Sequence, residues 1–198
     1  MSLFTPSPEA LGSPAVILAS RMLWDKGVEE FVIAAGSLHK KGVKAKFVLV
    51  GDTDPGNPAA VPEAQLEVWK SSGIVDWWGQ HNDMPAVFAR AHIVCLPSYR
   101  EGLPKVLIEA AACGRAIVTT DTPGCREIVR HGENGLLVPV RDSKALADAL
   151  RILIENPALR AKMGARGREI AVAEFSQEQV IKETLSVYYE LLKDKWPK

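Results

Sequence analysis

Six short runs of nearly pure apolar residues, AVILAS at 15–20, KFVLVG at 46–51, VDWWG at 75–79, HIVCLPS at 92–98, AIVTTD at 116–121 and GLLVPV at 135–140, are separated by stretches of helical character. Strands that alternate with helices pair in parallel, because each crossover needs the length of a helix. The runs do not alternate polar with apolar, so both faces of each strand must be covered. The pattern predicts a doubly wound, six-stranded parallel α/β sheet. A chain of 198 residues with 47% hydrophobic content supplies one core of that size.

The helices carry their own punctuation. Asp25 is placed to cap a helix through Phe31, Ala34, Ala35 and Leu38, closed by Gly42 after two lysines. Asp142 or Ser143 opens another, with Leu146, Leu150, Leu153 and Ile154 at helical spacing up to Pro157. Two helices then follow with no further strand. One lies near 158–173; the last is opened by Ser176 and Gln179 as a capping box and carries Leu185, Tyr188 and Leu192 along one face. At the other end, MSLFTPSPEALG is rich in Ser and Pro without periodicity and reads as linker or vector-derived sequence. The expected organisation is residues 1–14 as linker, 15–175 as the α/β domain and 176–198 as a terminal helix.

Composition excludes several classes of partner. Lys+Arg and Asp+Glu both total 24, so the net charge is zero and no overall field gathers nucleic acid or an anionic bilayer. No apolar run reaches the roughly 18–20 residues of a membrane span, and no signal peptide opens the chain, so a cytoplasmic location is expected. Cys95, Cys113 and Cys125 are odd in number and lie among apolar or small residues, as reduced core thiols do. His39, His81, His92 and His131 show no metal-ligand spacing, and no metal is expected.

In an open parallel sheet, ligands bind beyond the carboxyl ends of the strands, which directs attention to four loops. The first, Ser20 to Gly27, lacks the GxGxxG fingerprint, which argues against a nicotinamide or flavin enzyme. It offers Arg21 and Lys26, a planar fork and a point charge suited to phosphate oxygens; two solvated surface cations would look the same. The second loop runs SYREGLPKVLIEAAACG. Pro104 suits a first helical turn, so a helix is expected to begin near Leu103 and to leave the amides around 102–105 open to an anion. Glu101 precedes this helix. Glu109 lies inside it among apolar neighbours, where a buried carboxylate needs a partner unless it reaches solvent. With 15 glutamates in the chain, about one Glu-x7-Glu pair is expected by chance, so the spacing alone says nothing.

The third loop, Gly79 to Asp83, is either a ligand wall near His81 or a plain turn in which Asp83 caps the next helix. Trp77 and Trp78 are adjacent on a strand and must point to opposite faces, so they form no common stacking platform. The fourth, Asp121 to Cys125, reads as a tight, structural left-handed turn before a helix that holds Glu127, with Glu127 paired to a nearby arginine such as Arg126 or Arg130.

The setting of the two glutamates is more specific than their spacing. Glu-Gly-Leu-Pro lies between a buried strand and a helix, and Glu-Ala-x-Ala-x-Gly follows, downstream of the Arg21/Lys26 loop. With Gly124-Cys125-Arg126-Glu127-Ile128-Val129, Gly132, Asn134, Gly135 and Leu136-Leu137-Val138, this closely resembles the carboxyl-terminal domain of retaining GT-B glycosyltransferases of family 4, over nearly all of residues 15–192. The resemblance implies a Rossmann-like domain, one half of a GT-B fold, that binds a nucleoside diphosphate sugar without a metal or cofactor. Arg21 and Lys26 would hold the donor diphosphate and stabilise the charge that builds on it as the glycosidic bond breaks. Glu109 would accept hydrogen bonds from the ribose hydroxyls, Glu101 would contact the transferred sugar, and Gly102, Leu103 and the neighbours of Pro104 would face sugar and phosphate. The loop at His81 would read the base through its main chain. The stretch Ser98 to Pro104 looks like enzymes of bacterial capsule and surface polysaccharide assembly, which points to a UDP-sugar.

By the same resemblance a glycan or lipid-linked acceptor would be brought by an amino-terminal domain, so the chain is expected to be a fragment that binds nucleotide without turning it over. The whole enzyme would work in the cytoplasm, at the inner face of the membrane where its acceptor is lipid-linked. The terminal helix would cross to the missing domain, and its stranded apolar face predicts self-association. A different class of function, a non-catalytic α/β interaction or regulatory module that keeps the fold, would leave Arg21, Lys26 and the glutamates as surface charges.

Overall fold

In the computed structural model, which describes residues 3–192, all six expected strands form one parallel sheet in the order β3-β2-β1-β4-β5-β6. They are β1 (Ala15–Ala19), β2 (Lys46–Val50), β3 (Asp76–Trp77), β4 (Ile93–Leu96), β5 (Ala116–Thr120) and β6 (Gly135–Val138). Successive residues feed two separate cores. Val16 and Leu18 enter one and Ile17 and Ala19 the other, which is why no polar residue interrupts the run. Val16, Ile17 and Leu18 each contribute about 1.5–3 kcal/mol on burial.

The first core lies under α1 (Val28–Lys40), α2 (Glu63–Ser71) and α6 (Ser143–Glu155). The second lies under α3 (Met84–Arg90), α4 (Lys105–Ala112) and α5 (Pro123–Ile128). The long α7 (Pro157–Phe175) reaches both, through Met163 and Ala171. Trp77 and Trp78 part to opposite cores as expected, and the three cysteines are free and buried. No described helix is long and apolar enough to cross a membrane.

Several helix ends follow the sequence signals. Asp142 accepts from the Ala145 amide at 2.8 Å and Asp83 from the Ala86 amide at 3.0 Å, while Gly42 closes α1 with its amide on the His39 carbonyl. Ser176 accepts from the Gln179 amide at 3.2 Å, but the Gln179 side chain turns to Glu183, so only half of the expected box forms. The helix it opens, α8 (Gln177–Leu192), leaves Leu185 and Tyr188 exposed; residues 193–198 of the expected terminal helix, like 1–2, lie outside the described residues.

Two ends differ. Asp25 caps nothing: Trp24–Lys26 close as a 3-10 turn and α1 starts only after Gly27, whose φ of +72° and close approach to the Pro97 carbonyl, 2.1 Å from where a Cβ would stand, suit glycine. The helix expected from Leu103 starts at Lys105, with Pro104 extended at its N-cap. The opening segment has no helix or strand, yet it is bound to the base of the domain. Arg160 holds the Glu9 carboxylate with two nitrogens at 2.8 and 3.0 Å, Arg168 donates to the Phe4 carbonyl, Arg115 to Ser7, and His92 contacts the Ala10 carbonyl.

Candidate functional site

β1 and β4 are neighbours whose connections leave in opposite directions, and the loops that follow them open a crevice at this switch point. The two loops are bonded to each other. The amide of Tyr99 and the hydroxyl of Ser98 both donate to the Asp25 carbonyl, at 2.8 and 3.1 Å. The Lys26 ammonium donates to Glu101 Oε1 at 2.7 Å, with the two side chains only 20% and 12% exposed. Partial burial makes such a pair stronger than an exposed one, and it fixes both groups relative to the sheet.

Beside this pair lies a cleft of about 580 Å³ walled by the loops after β1, β2 and β3 and by one face of α4. Arg21, His81 and Glu109 all line it. Val106 and Glu109, one turn apart, present the same face of α4 to it. Burial pushes the Glu109 carboxyl above the usual carboxylate range, and the Lys105 ammonium at 3.8 Å pulls it only part of the way back. Gly102 and Leu103 are exposed just before α4, and among the described residues their amides donate to no protein group. Pro104 is buried beneath them.

The two cations and two acids therefore meet in two places. Arg21 and Glu109 share the cleft, whereas Lys26 and Glu101 close on each other rather than lining it. Asp83 caps α3, so the plain-turn role of the third loop is met, while His81 and Gln80 of the same loop also face the cleft.

The segment after β2, dense in turn-forming residues, is a further wall of the site that none of the four loops singled out in the sequence includes. Met22 donates to the Asp52 carbonyl, Val61 to Met22 and Trp24 to Ala59, which lays 52–61 along the Arg21 loop. Asp54 then takes the Arg21 guanidinium at 2.7 Å, a partner the sequence did not announce. Position was the available signal: these acids follow the carboxyl end of a strand adjacent to β1. The fourth loop also differs. Gly124 lies inside α5 rather than in a left-handed turn, and glycine is needed there because a Cβ would stand 2.1 Å from the Gly102 carbonyl oxygen. Among the described residues Glu127 makes no ion pair; Arg126 takes Asp121, and Arg130 takes Glu174.

A parallel sheet with facing cationic and acidic loops at its switch point is a GT-B half-domain in form, and comparison with known proteins agrees. Residues 13–156 match the model of a family described as glycosyl transferases group 1. The chain is 34% identical over 181 residues, 91% of its length, to the N,N'-diacetylbacillosaminyl-diphospho-undecaprenol alpha-1,3-N-acetylgalactosaminyltransferase of Campylobacter jejuni, of which it covers 46%. Among solved structures it matches sucrose-phosphate synthase from Thermosynechococcus elongatus with TM-score 0.85 and 27% identity, over 97% of this chain and 50% of that one. It also matches Anabaena HepE in complex with UDP and glucose, with TM-score 0.81 and 27% identity, over 93% of this chain and 54% of that one. The chain belongs to the group 1 glycosyltransferases and forms half of a GT-B fold. It spans about half the length of the relatives it matches.

Proposed function

We propose that this chain is the donor-binding half of a retaining glycosyltransferase that takes a UDP-sugar and, in the whole enzyme, passes the sugar to a glycan or lipid-linked acceptor. One observation supports the reading: Arg21 and Glu109 line one cleft at the carboxyl ends of the strands, and the loops that bear them are the two joined by the Lys26–Glu101 pair or adjoining it. The ribose belongs at Glu109, whose carboxylate can accept from both vicinal hydroxyls. The base lies toward His81 and Gln80. The diphosphate belongs between Arg21, Lys26 and the open amides at 102–103, where fixed positive charge stabilises the charge that develops on it when the sugar leaves. Glu101, held by Lys26, faces the sugar. In this scheme the charge neutralisation falls to side chains, and the donor needs no metal. Acceptor positioning and exclusion of water fall to a second domain, so the chain alone binds without turnover.

Calorimetric titration with UDP, GDP and ADP tests this. UDP is expected to release heat, and Arg21→Ala or Glu109→Ala to cost roughly 1–3 kcal/mol of binding. No heat from any of the three at millimolar concentration would instead favour a module that keeps the fold without the site.

A further inference from the structure

We propose that Glu30 and Tyr99 are positioning residues: the hydrogen bond between them pins the loop after β4 to α1 and so keeps Glu101 in register with Lys26. The consequence for sugar binding rests on the nucleotide-sugar reading above; the geometry does not.

Glu30 lies in the first turn of α1, four residues beyond Lys26. It is 9% exposed, accepts from the Tyr99 hydroxyl at 2.7 Å through Oε1, and its Oε2 is sealed from solvent with no partner. A buried carboxylate with half its acceptor capacity unused is costly, and an amide or an apolar side chain would fill the same space at lower cost. What the acid adds is a strong acceptor at one fixed point, favoured by the positive end of α1.

Tyr99 is two residues from Glu101, half-buried, and is held at three points. Its amide is on the Asp25 carbonyl, its hydroxyl is on Glu30, and the Arg141 guanidinium lies 4.5 Å over its ring. Arg141 comes from the loop after β6 and sits at φ +60°, a left-handed conformation that residues other than glycine rarely adopt. The neighbouring Ser98 carbonyl accepts from the Thr120 hydroxyl. Burial first, and then the Glu30 carboxylate, push the Tyr99 phenol up to about 12, so the hydroxyl remains a donor throughout the neutral range. The segment from the 3-10 turn into α1 thus reaches the loop twice, through Lys26 on Glu101 and through Glu30 of α1 on Tyr99. The second contact sets the distance over which the first, between two long side chains, must close.

The test uses the 198-residue chain without ligand, reading the Lys26 side-chain ε-methylene signal by NMR, assigned through Lys26→Arg. In the wild type this signal is expected to stand apart from those of exposed lysines. Tyr99→Phe and Glu30→Ala should move it into their envelope while the unfolding midpoint stays close to wild type. Glu30→Gln, which keeps an acceptor for the hydroxyl, should leave it in place. A Lys26 signal unmoved in Tyr99→Phe, one displaced as far by Glu30→Gln as by Glu30→Ala, or one already among exposed lysines in the wild type overturns the proposal. A parallel titration with UDP separates the two readings. Failure of the wild type to bind UDP counts against the nucleotide site and leaves the Lys26 result to decide this one.

Discussion

The α-carbon of Gly27 faces the Pro97 carbonyl so closely that a Cβ at residue 27 would lie 2.1 Å from the oxygen. Gly27 also sits at φ +72°, where L side chains are strained. These two residues join the loops that bear Lys26 and Glu101, so fold and site depend on one contact. Gly27→Ala is expected to lower stability by about 3 kcal/mol, from backbone strain and overpacking together, as read by urea unfolding. A loss below about 0.5 kcal/mol would show that the two loops can separate freely.

In the proposed site the Asp54 carboxylate would compete with the donor diphosphate for Arg21. The pair is substantially exposed, so its own strength is no more than about 1 kcal/mol. Asp54→Asn frees the guanidinium and is expected to tighten UDP binding by about twofold to fivefold. Weaker binding in this variant would mean that Asp54 holds Arg21 in its working position instead.

Glu109 supplies a pH dependence. Its folded-state carboxyl is raised above the ordinary 4.5, so the stability it contributes is present below pH 4.5 and lost as pH rises through the raised value. In the proposed site Glu109 receives the ribose hydroxyls best as a carboxylate, which accepts through both oxygens. UDP affinity should therefore fall as pH drops through that raised value, with proton release on binding measurable by calorimetry in buffers of different ionisation heat. Glu109→Gln should bind more weakly and lose this limb of the profile.

Glu9 acts with the opposite sign. Burial pushes its carboxyl up, but the Arg160 guanidinium, with His92 and Arg115 nearby, more than offsets this and holds it below 4.5. Its stabilisation is complete above pH 4.5 and is lost as pH falls through the lowered value. Because Glu9 is partly exposed, Glu9→Gln is expected to cost only about 1 kcal/mol at pH 7, and to flatten the acid limb of a stability profile from thermal unfolding.

The sheet was legible because burial on both faces leaves a mark, six nearly continuous apolar runs separated by helices. Helix ends were legible where a side chain acts within three residues, as Asp142 does on Ala145. What escaped was set by contacts between distant parts of the chain. Asp25 has the chemistry of a cap, but the chain makes a 3-10 turn there and packs Gly27, left-handed, against the Pro97 carbonyl, 70 residues on, and α1 begins beyond it. Asp54 became the partner of Arg21 because 52–61 runs back along the first loop, and nothing in its turn-forming residues announces that path. The opening segment has no period to read, and it is held by arginines more than a hundred residues away. The convergence of Arg21 with Glu109 and of Lys26 with Glu101 followed from strand order, since carboxyl ends of adjacent parallel strands share one edge.

The most direct test of the site is to titrate UDP into the isotopically labelled chain and follow every backbone amide. Shifts should concentrate at Ser20 and Arg21, at Gln80 and His81, and at Gly102 and Leu103, tracing a nucleotide from base to diphosphate across the crevice. Shifts confined to the base of the sheet or to α8, with these six amides unmoved, would contradict the account.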